Sequence, residues 1–161
     1  MFNFPFEATC AFTLGDCHVL ARALSKHGYP IVLVGTTTTK RDDDAWWVHA
    51  LNELPDGRFV DIMGLHTADD LFHHWSSALD DAEMLCPDFG VRRILRGRHA
   101  KMILNSSQSE PIFDVDAGHY AKLIITAVCR GFVENYSTNS LRIAERLGIV
   151  TFDEPPKKEK S

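Results

Sequence analysis

The run Leu54-Pro55-Asp56-Gly57-Arg58 constrains the fold of this 161-residue chain more than any other stretch. Proline at the second position of a turn, aspartate at the third and a following glycine are typical of a type I turn closed by a left-handed residue, which joins two antiparallel strands. Strand-like runs flank this turn at residues 46–54 and 58–64. If Leu54 pairs with Arg58, the turn fixes the register of the whole hairpin.

That register brings a histidine and a carboxylate together on one face of the hairpin. His49 would lie opposite Met63 and Leu51 opposite Asp61, so His49 and Asp61 become diagonal neighbours. Cα atoms related in this way are typically ~7 to 8 Å apart, a gap that an imidazole and a carboxylate can bridge. Because Asp61 stands in an otherwise apolar run, where an unpaired carboxylate is costly to bury, it is predicted to orient an imidazole.

A cysteine begins the first predicted helix, over residues 17–27. Asp16 is a good N-cap residue, and apolar side chains recur at the spacing of one helix face at Cys17, Leu20, Ala21 and Leu24. A thiol in the first turn meets the positive end of the helix dipole, which lowers its pKa from about 8.5. The helix alone favours a buried structural cysteine, whereas His49 and Asp61 in register favour a nucleophile.

The remaining segments complete an α+β pattern in one domain over residues 1–152, with a disordered tail over residues 153–161. Before the hairpin, the sequence predicts an extended stretch to Thr13, a buried strand at 29–35 and an exposed loop at 36–44. After it, a helix is predicted at 68–79 behind a Thr67/Asp70 capping box, followed by two short strands around Gly97. Two further helices are predicted, one at 117–130 capped by Asp116 and a last one from Asn139 or Ser140 to Gly148.

Composition excludes several classes of protein. The net charge of -5 and pI near 5.9 argue against a nucleic-acid or anionic-membrane binder, and the one basic cluster, Arg92, Arg93, Arg96, Arg98 and Lys101, is interpreted as a solvated face. No run of 18 apolar residues and no signal peptide is present, so we predict a cytoplasmic protein that binds no membrane. Phage origin and export without a leader stay open, and the oligomeric state is not predicted.

Several histidines and aromatic residues receive secondary interpretations. His18 is predicted to point away from Cys17, because neighbouring helix residues diverge by about 100°. A metal cluster of His66, His73, His74, Asp69 and Asp70 is disfavoured, because no metal-binding spacing is present, and no metal or cofactor is predicted. Trp47 is expected to share the face of His49 and, with Asp16, to contact substrate. Cys10, Cys86 and Cys129 are interpreted as structural.

The residues around Cys17 resemble a known family. Its pattern is matched in order by Gly15-Asp16-Cys17, Ala21, Gly28-Tyr29-Pro30, Val34-Gly35, His49 and Asp61. Residues 15–64 are thereby similar to the transglutaminase-like branch of the papain-fold cysteine enzymes. The resemblance implies a Cys-His-Asp triad, with the cysteine on a helix that packs on an antiparallel sheet bearing the other two residues. Leu51 and Ile62 stand where the family often has tryptophan and proline.

These observations predict a papain-like or transglutaminase-like α+β core, with an N-terminal catalytic helix on a small antiparallel sheet and further C-terminal helices. The predicted function is a cysteine hydrolase that cleaves an amide or isopeptide bond in a protein or peptide, with Cys17 as nucleophile, His49 as general base and acid, and Asp61 as orienting carboxylate. Two alternatives stay open. One is an acyltransferase or crosslinking enzyme with the same triad, and the other is a non-catalytic effector or inhibitor that keeps the fold.

Overall fold

A computed structural model describes residues 2–38, 45–106 and 110–135, with side chains as far as residue 130. The chain divides into two units, Met1–Ala121 and Lys122–Ser161. The predicted last helix and the disordered tail lie outside the described residues, and the prediction of one domain over residues 1–152 stays a prediction. All residues of the candidate triad belong to the first unit.

The described residues form six helices and five strands, which confirms the α+β class. The helices are α1 (Phe6–Leu14), α2 (Cys17–Ser25), α3 (Ala68–His74), α4 (Ser76–Leu85), α5 (Gly97–Ser106) and α6 (Ala117–Asn135). The strands are β1 (Ile31–Thr38), β2 (Ala45–Glu53), β3 (Phe59–Val60), β4 (Leu65–His66) and β5 (Phe89–Leu95).

The strands form one antiparallel sheet in the order β4-β3-β2-β1-β5. Alternate residues of β1 and β2 point to opposite faces, and helices cover both faces. Leu33 and Ala50 pack with residues of α2 and α5. Val32 and Leu51 pack with residues of α3 and α4. Cys17 belongs to the first of these two clusters, so burial of the apolar face of α2 against the sheet positions the start of that helix.

The hairpin turn forms as its sequence predicts. The Leu54 N–H donates to the Arg58 carbonyl over 2.8 Å, and Gly57 has a φ of 83°. Asn52 pairs with Val60, so the register is confirmed. Regular pairing ends at Val60, because the next N–H, that of Asp61, bonds to the Gly64 carbonyl instead.

The prediction of an extended stretch before Thr13 is wrong. Those residues form α1, which begins directly after Pro5. Ala8, Ala11 and Phe12 are buried at helical spacing. The proline inside this segment favoured an extended stretch, whereas proline is also well suited to a helix start, where its missing N–H costs no hydrogen bond.

The prediction of two strands around Gly97 is half wrong. A strand, β5, precedes Gly97, and a helix, α5, follows it. Gly97 has a φ of 62°, which a glycine adopts without strain. Ala100, Ile103 and Leu104 then bury one helical face. The apolar residues after Gly97 therefore follow a helical period that a short window does not separate from a strand.

Two other boundaries differ from the predictions. The capping box of Thr67 and Asp70 is confirmed, but the helix behind it is divided into α3 and α4 at Trp75. Thr36 and Thr37 are buried in β1 rather than exposed in a loop, and residues 39–44 of that predicted loop lie outside the described residues. The helix predicted over residues 117–130 is confirmed as α6. Its cap is also confirmed, because Asp116 Oδ1 accepts a hydrogen bond from the His119 N–H over 3.0 Å.

Candidate active site

Cys17 is the first residue of α2 and exposes 6% of its surface. As the first helical residue it has a backbone N–H without a partner inside the helix. Cys17 and Asp61 line the same narrow gap between α2 and the sheet, together with Ala50 and Val60. The gap lies where β2 and β3 stop pairing, so side chains from both strands can meet the thiol there.

Asp16 holds a different segment of the chain from the one predicted. Within the described residues its side chain caps no amide of α2. The carboxylate is buried and accepts hydrogen bonds from the backbone N–H groups of Ile112 and Phe113, the shortest being 2.8 Å. The prediction that the Asp16 side chain caps α2 is therefore wrong, because the donors that bond to it lie in a distant segment of the chain, at Ile112 and Phe113. Substrate binding by Asp16 stays a prediction.

His49 and Asp61 meet as the hairpin register predicts. The His49 Nε2–H donates to Asp61 Oδ2 over 2.9 Å, and both side chains are buried. The other carboxylate oxygen, Oδ1, accepts from the backbone N–H groups of Met63 and Gly64 and from His66 Nε2. These bonds fix the carboxylate, which in turn fixes the imidazole with Nδ1 as its remaining nitrogen.

The Cys17 thiol is acidified by its neighbours. Burial alone would raise its pKa, and this is the largest single influence. Hydrogen bonds with His18 and His49, the charge on His49 and the Ala50 backbone N–H outweigh burial and lower the pKa of Cys17 to about 6. The prediction that His18 points away is therefore wrong. Its Nδ1–H also donates to the Gly15 carbonyl over 3.1 Å, which holds the ring beside the thiol.

The pKa values of His49 and Asp61 are shifted as well, that of His49 upward and that of Asp61 downward. Burial would lower the pKa of His49, but hydrogen bonds with Asp61 and Cys17 and the charges on both raise it to about 9. Burial would raise the pKa of Asp61, but hydrogen bonds from His49 and His66 hold it well below its usual range. Between about pH 6 and about pH 9 the site therefore contains a thiolate and an imidazolium.

The Nδ1 atom of His49 is the ring nitrogen that is not bonded to Asp61. Among the described residues it is buried without a hydrogen-bond partner of good geometry, while the thiol and the imidazole lie close enough to shift each other's pKa. Catalytic hydrogen bonds are often loosely aligned before substrate binds. On its flank, Trp75 stacks on the imidazole with ring centroids 4.3 Å apart, and so shields His49 from water.

Trp47 lies two residues before His49 in β2, at an irregularity of the strand. A β-bulge interrupts the pairing with β1, so that Val34 pairs with His49 but Gly35 pairs with Trp47. Trp47 packs with the cluster that contains Ala50, and it lines a cavity of about 810 Å³ bordered by α5 and the start of β5. The bulge interrupts strict alternation at this point, and the shared face of Trp47 and His49 stays a prediction. A substrate contact by Trp47 stays a prediction.

Sequence reasoning missed two residues of the site besides His18. His66 was considered only for a metal cluster, and its Nε2 instead lies 2.8 Å from Asp61 Oδ1. Trp75 falls inside the helix predicted over residues 68–79, and its stacking on His49 has no local signal in the sequence. His66 could have been found from its position five residues after Asp61. That inference requires the second hairpin, in which β3 and β4 pair and bring His66 back beside Asp61.

Comparison of this chain with protein-family models, with curated proteins and with solved structures found no match. In the part of the chain that the structure describes, no helix combines the length and the apolar character needed to cross a bilayer. The cytoplasmic location stays a prediction.

In the Asp61→Asn variant, the free energy of unfolding is expected to depend less on pH in acid than it does in the natural chain. The pKa of Asp61 is lower in the folded chain than the ordinary value of about 3.9. The ionised carboxylate therefore contributes stability that is present above about pH 4 and is lost as the pH falls through the lower folded pKa. In the variant, urea unfolding from pH 6 to pH 2 should show a shallower decline, and a free energy of unfolding lower by about 2 kcal/mol at pH 7.

The exposed Asp114 provides the control, since Asp114→Asn should leave both the slope and the neutral-pH stability unchanged. Parallel acid profiles for Asp61→Asn and the natural chain would contradict the assignment of an ionised, hydrogen-bonded Asp61.

Proposed function

We propose that this protein is a cysteine hydrolase of the transglutaminase-like or papain-like type, which cleaves an amide or isopeptide bond in a peptide or protein. The observation that carries the proposal is the chain of contacts from Cys17 through His49 to Asp61, in which a 2.9 Å hydrogen bond orients the imidazole beside an acidified thiol. Such an arrangement combines a nucleophile, a general base and an orienting group in the order that covalent catalysis requires.

In the first step the Cys17 thiolate attacks the carbonyl carbon of the scissile bond. The S–C bond forms, the carbonyl becomes a tetrahedral oxyanion, and the His49 imidazolium gives its Nδ1 proton to the leaving nitrogen as the C–N bond breaks. An amine leaves and an acyl thioester remains on Cys17. The backbone N–H of the first helical residue, Cys17, which has no partner inside α2, is our candidate donor to the oxyanion.

In the second step the neutral His49 takes a proton from water through Nδ1, and the resulting hydroxide attacks the thioester carbonyl. The S–C bond breaks, a carboxylic acid leaves, and the thiolate–imidazolium pair returns. Throughout, Asp61 accepts from Nε2 and stabilises the imidazolium, so the same nitrogen of His49 always faces the reacting atoms.

Alkylation of the natural chain by iodoacetamide from pH 5 to pH 10, read at each cysteine by peptide mass spectrometry, tests the proposal. The midpoint for Cys17 is expected near pH 6, against about 8.5 for an unstructured cysteine peptide. A peptide vinyl sulfone should then label Cys17 in the natural chain and in Cys86→Ser, but not in Cys17→Ala.

Acyl donors distinguish the alternatives. An acyl-Cys17 adduct that water discharges supports the hydrolase, whereas an adduct discharged only by an added primary amine would replace it with an acyltransferase. A Cys17 midpoint near 8.5, with no adduct from any peptide electrophile, would favour a non-catalytic protein that keeps the fold.

A further inference from the structure

The carboxylate of Asp61 divides its hydrogen bonds unequally between its two oxygens. Among the described residues, Oδ2 accepts one hydrogen bond, from His49. Oδ1 accepts three, from the backbone N–H groups of Met63 and Gly64 at 2.7 and 3.2 Å and from His66 Nε2 at 2.8 Å. One oxygen thus contacts the catalytic imidazole, and the other anchors the side chain.

The anchoring matters because the terminal torsion of an aspartate is soft. Rotation about the Cβ–Cγ bond of a carboxylate meets no steep staggered barrier, so the carboxylate plane is set by its hydrogen bonds. The two backbone donors follow Asp61 directly in the chain and move with it, whereas His66 reaches it from another strand. His66 is therefore the one donor to Oδ1 that ties the carboxylate to a separate element of the sheet.

His66 is itself held in place. It lies in β4, paired with the buried Phe59 of β3, and its side chain is 13% exposed. Its ring centroid lies 6.5 Å from that of His74 on α3, and His74 makes an edge contact with Trp75, the residue that stacks on His49. These contacts form a closed ring of side chains, and the hydrogen bond between His49 and Asp61 is one of its links.

We propose that His66 is a positioning residue, which acts through Asp61 to hold His49 in its catalytic orientation. Cys17, His49, Asp61 and His66 then form one line of linked side chains, in which Cys17 and His49 carry out the bond making and the proton transfer. This inference rests on the proposed cysteine chemistry. Loss of the His66 hydrogen bond lets the Asp61 carboxylate turn, weakens its bond to His49 and so weakens the imidazolium that stabilises the thiolate.

The test compares two variants of equal length and similar volume, His66→Gln and His66→Met. Glutamine keeps an N–H donor that can reach Asp61 Oδ1, whereas methionine fills the space without donating. We expect the alkylation midpoint of Cys17 to move upward by about one pH unit in His66→Met, with about a fivefold slower reaction at pH 6, and to stay near its natural value in His66→Gln. Thermal unfolding of both variants checks that they fold.

His73→Ala provides the matched control, because His73 is an exposed histidine on α3 and should leave the midpoint unchanged. Equal midpoints for His66→Gln, His66→Met and the natural chain, with the natural midpoint near pH 6, would overturn the role of His66 and leave the proposed function standing. A natural midpoint near 8.5 would instead overturn the proposed function, and the role of His66 with it. Upward shifts of the same size in both variants would overturn the role of the hydrogen bond.

Discussion

The His49→Ala variant should lose cleavage of any peptide substrate that acylates Cys17 by about 10⁶-fold, the scale at which a triad fails when its histidine is removed. Two effects combine. The proton carrier is absent, and burial of the thiol is then opposed only by His18 and the Ala50 amide. The pKa of Cys17 should rise well above 6, so alkylation at pH 7 should slow by about thirtyfold if the thiol returns to an ordinary value.

His18 makes this prediction discriminating, because it is the other histidine in contact with the thiol. If His18 were the base, His18→Ala would abolish turnover and His49→Ala would keep the acidic alkylation midpoint. We expect the reverse, since His49 carries the orienting carboxylate and His18 donates its Nδ1–H to the Gly15 carbonyl. His73→Ala, at an exposed position of α3, should change neither quantity.

The Gly35→Ala variant should be strongly destabilised. A Cβ atom at this position would overlap the Trp46 carbonyl oxygen and would lie 3.1 Å from Trp47 Cα. Both are backbone atoms of the neighbouring strand, which no side-chain rotation can move, so β1 and β2 would have to separate at the bulge. We expect the free energy of unfolding to fall by about 3 to 4 kcal/mol and the midpoint of thermal unfolding by about 10 °C or more.

Gly90→Ala is the matched control for this substitution. Gly90 also lies in a strand of the sheet, β5, and a Cβ atom there would meet nothing within 4 Å. Its thermal midpoint should stay within a few degrees of the natural value. A Gly35→Ala chain that unfolds at the same temperature as Gly90→Ala would show that the strands adjust to the added atom, and that the bulge does not require glycine.

Local chemistry made much of the site predictable. The turn at Leu54 to Arg58 depends on adjacent residues, and its register carried over to the pairing of Asn52 with Val60 and to the meeting of His49 with Asp61. The apolar face of α2 was predictable for the same reason, since its period is visible within nine residues.

The errors arose where distant residues decide. The partners of Asp16 lie 96 and 97 residues away in sequence, so no local pattern identifies them. The bulge in β2 opposite Gly35 results from strand pairing rather than from the composition of either strand. His66 escaped notice because its partner is set by the tight return from β3 to β4.

The hydrogen bonds from the backbone of Ile112 and Phe113 to Asp16 affect the stage of synthesis at which the protein can become reactive. Cys17, His49 and Asp61 are all encoded before residue 62, yet the buried Asp16 carboxylate meets the N–H groups of Ile112 and Phe113 only after residue 113 has been made. A buried carboxylate without donors is costly, so the start of α2 should not settle earlier. A nascent chain would then carry all three side chains of the proposed triad, without an activated thiol, while residues 62 to 113 are made, which is about a third of its 161 residues.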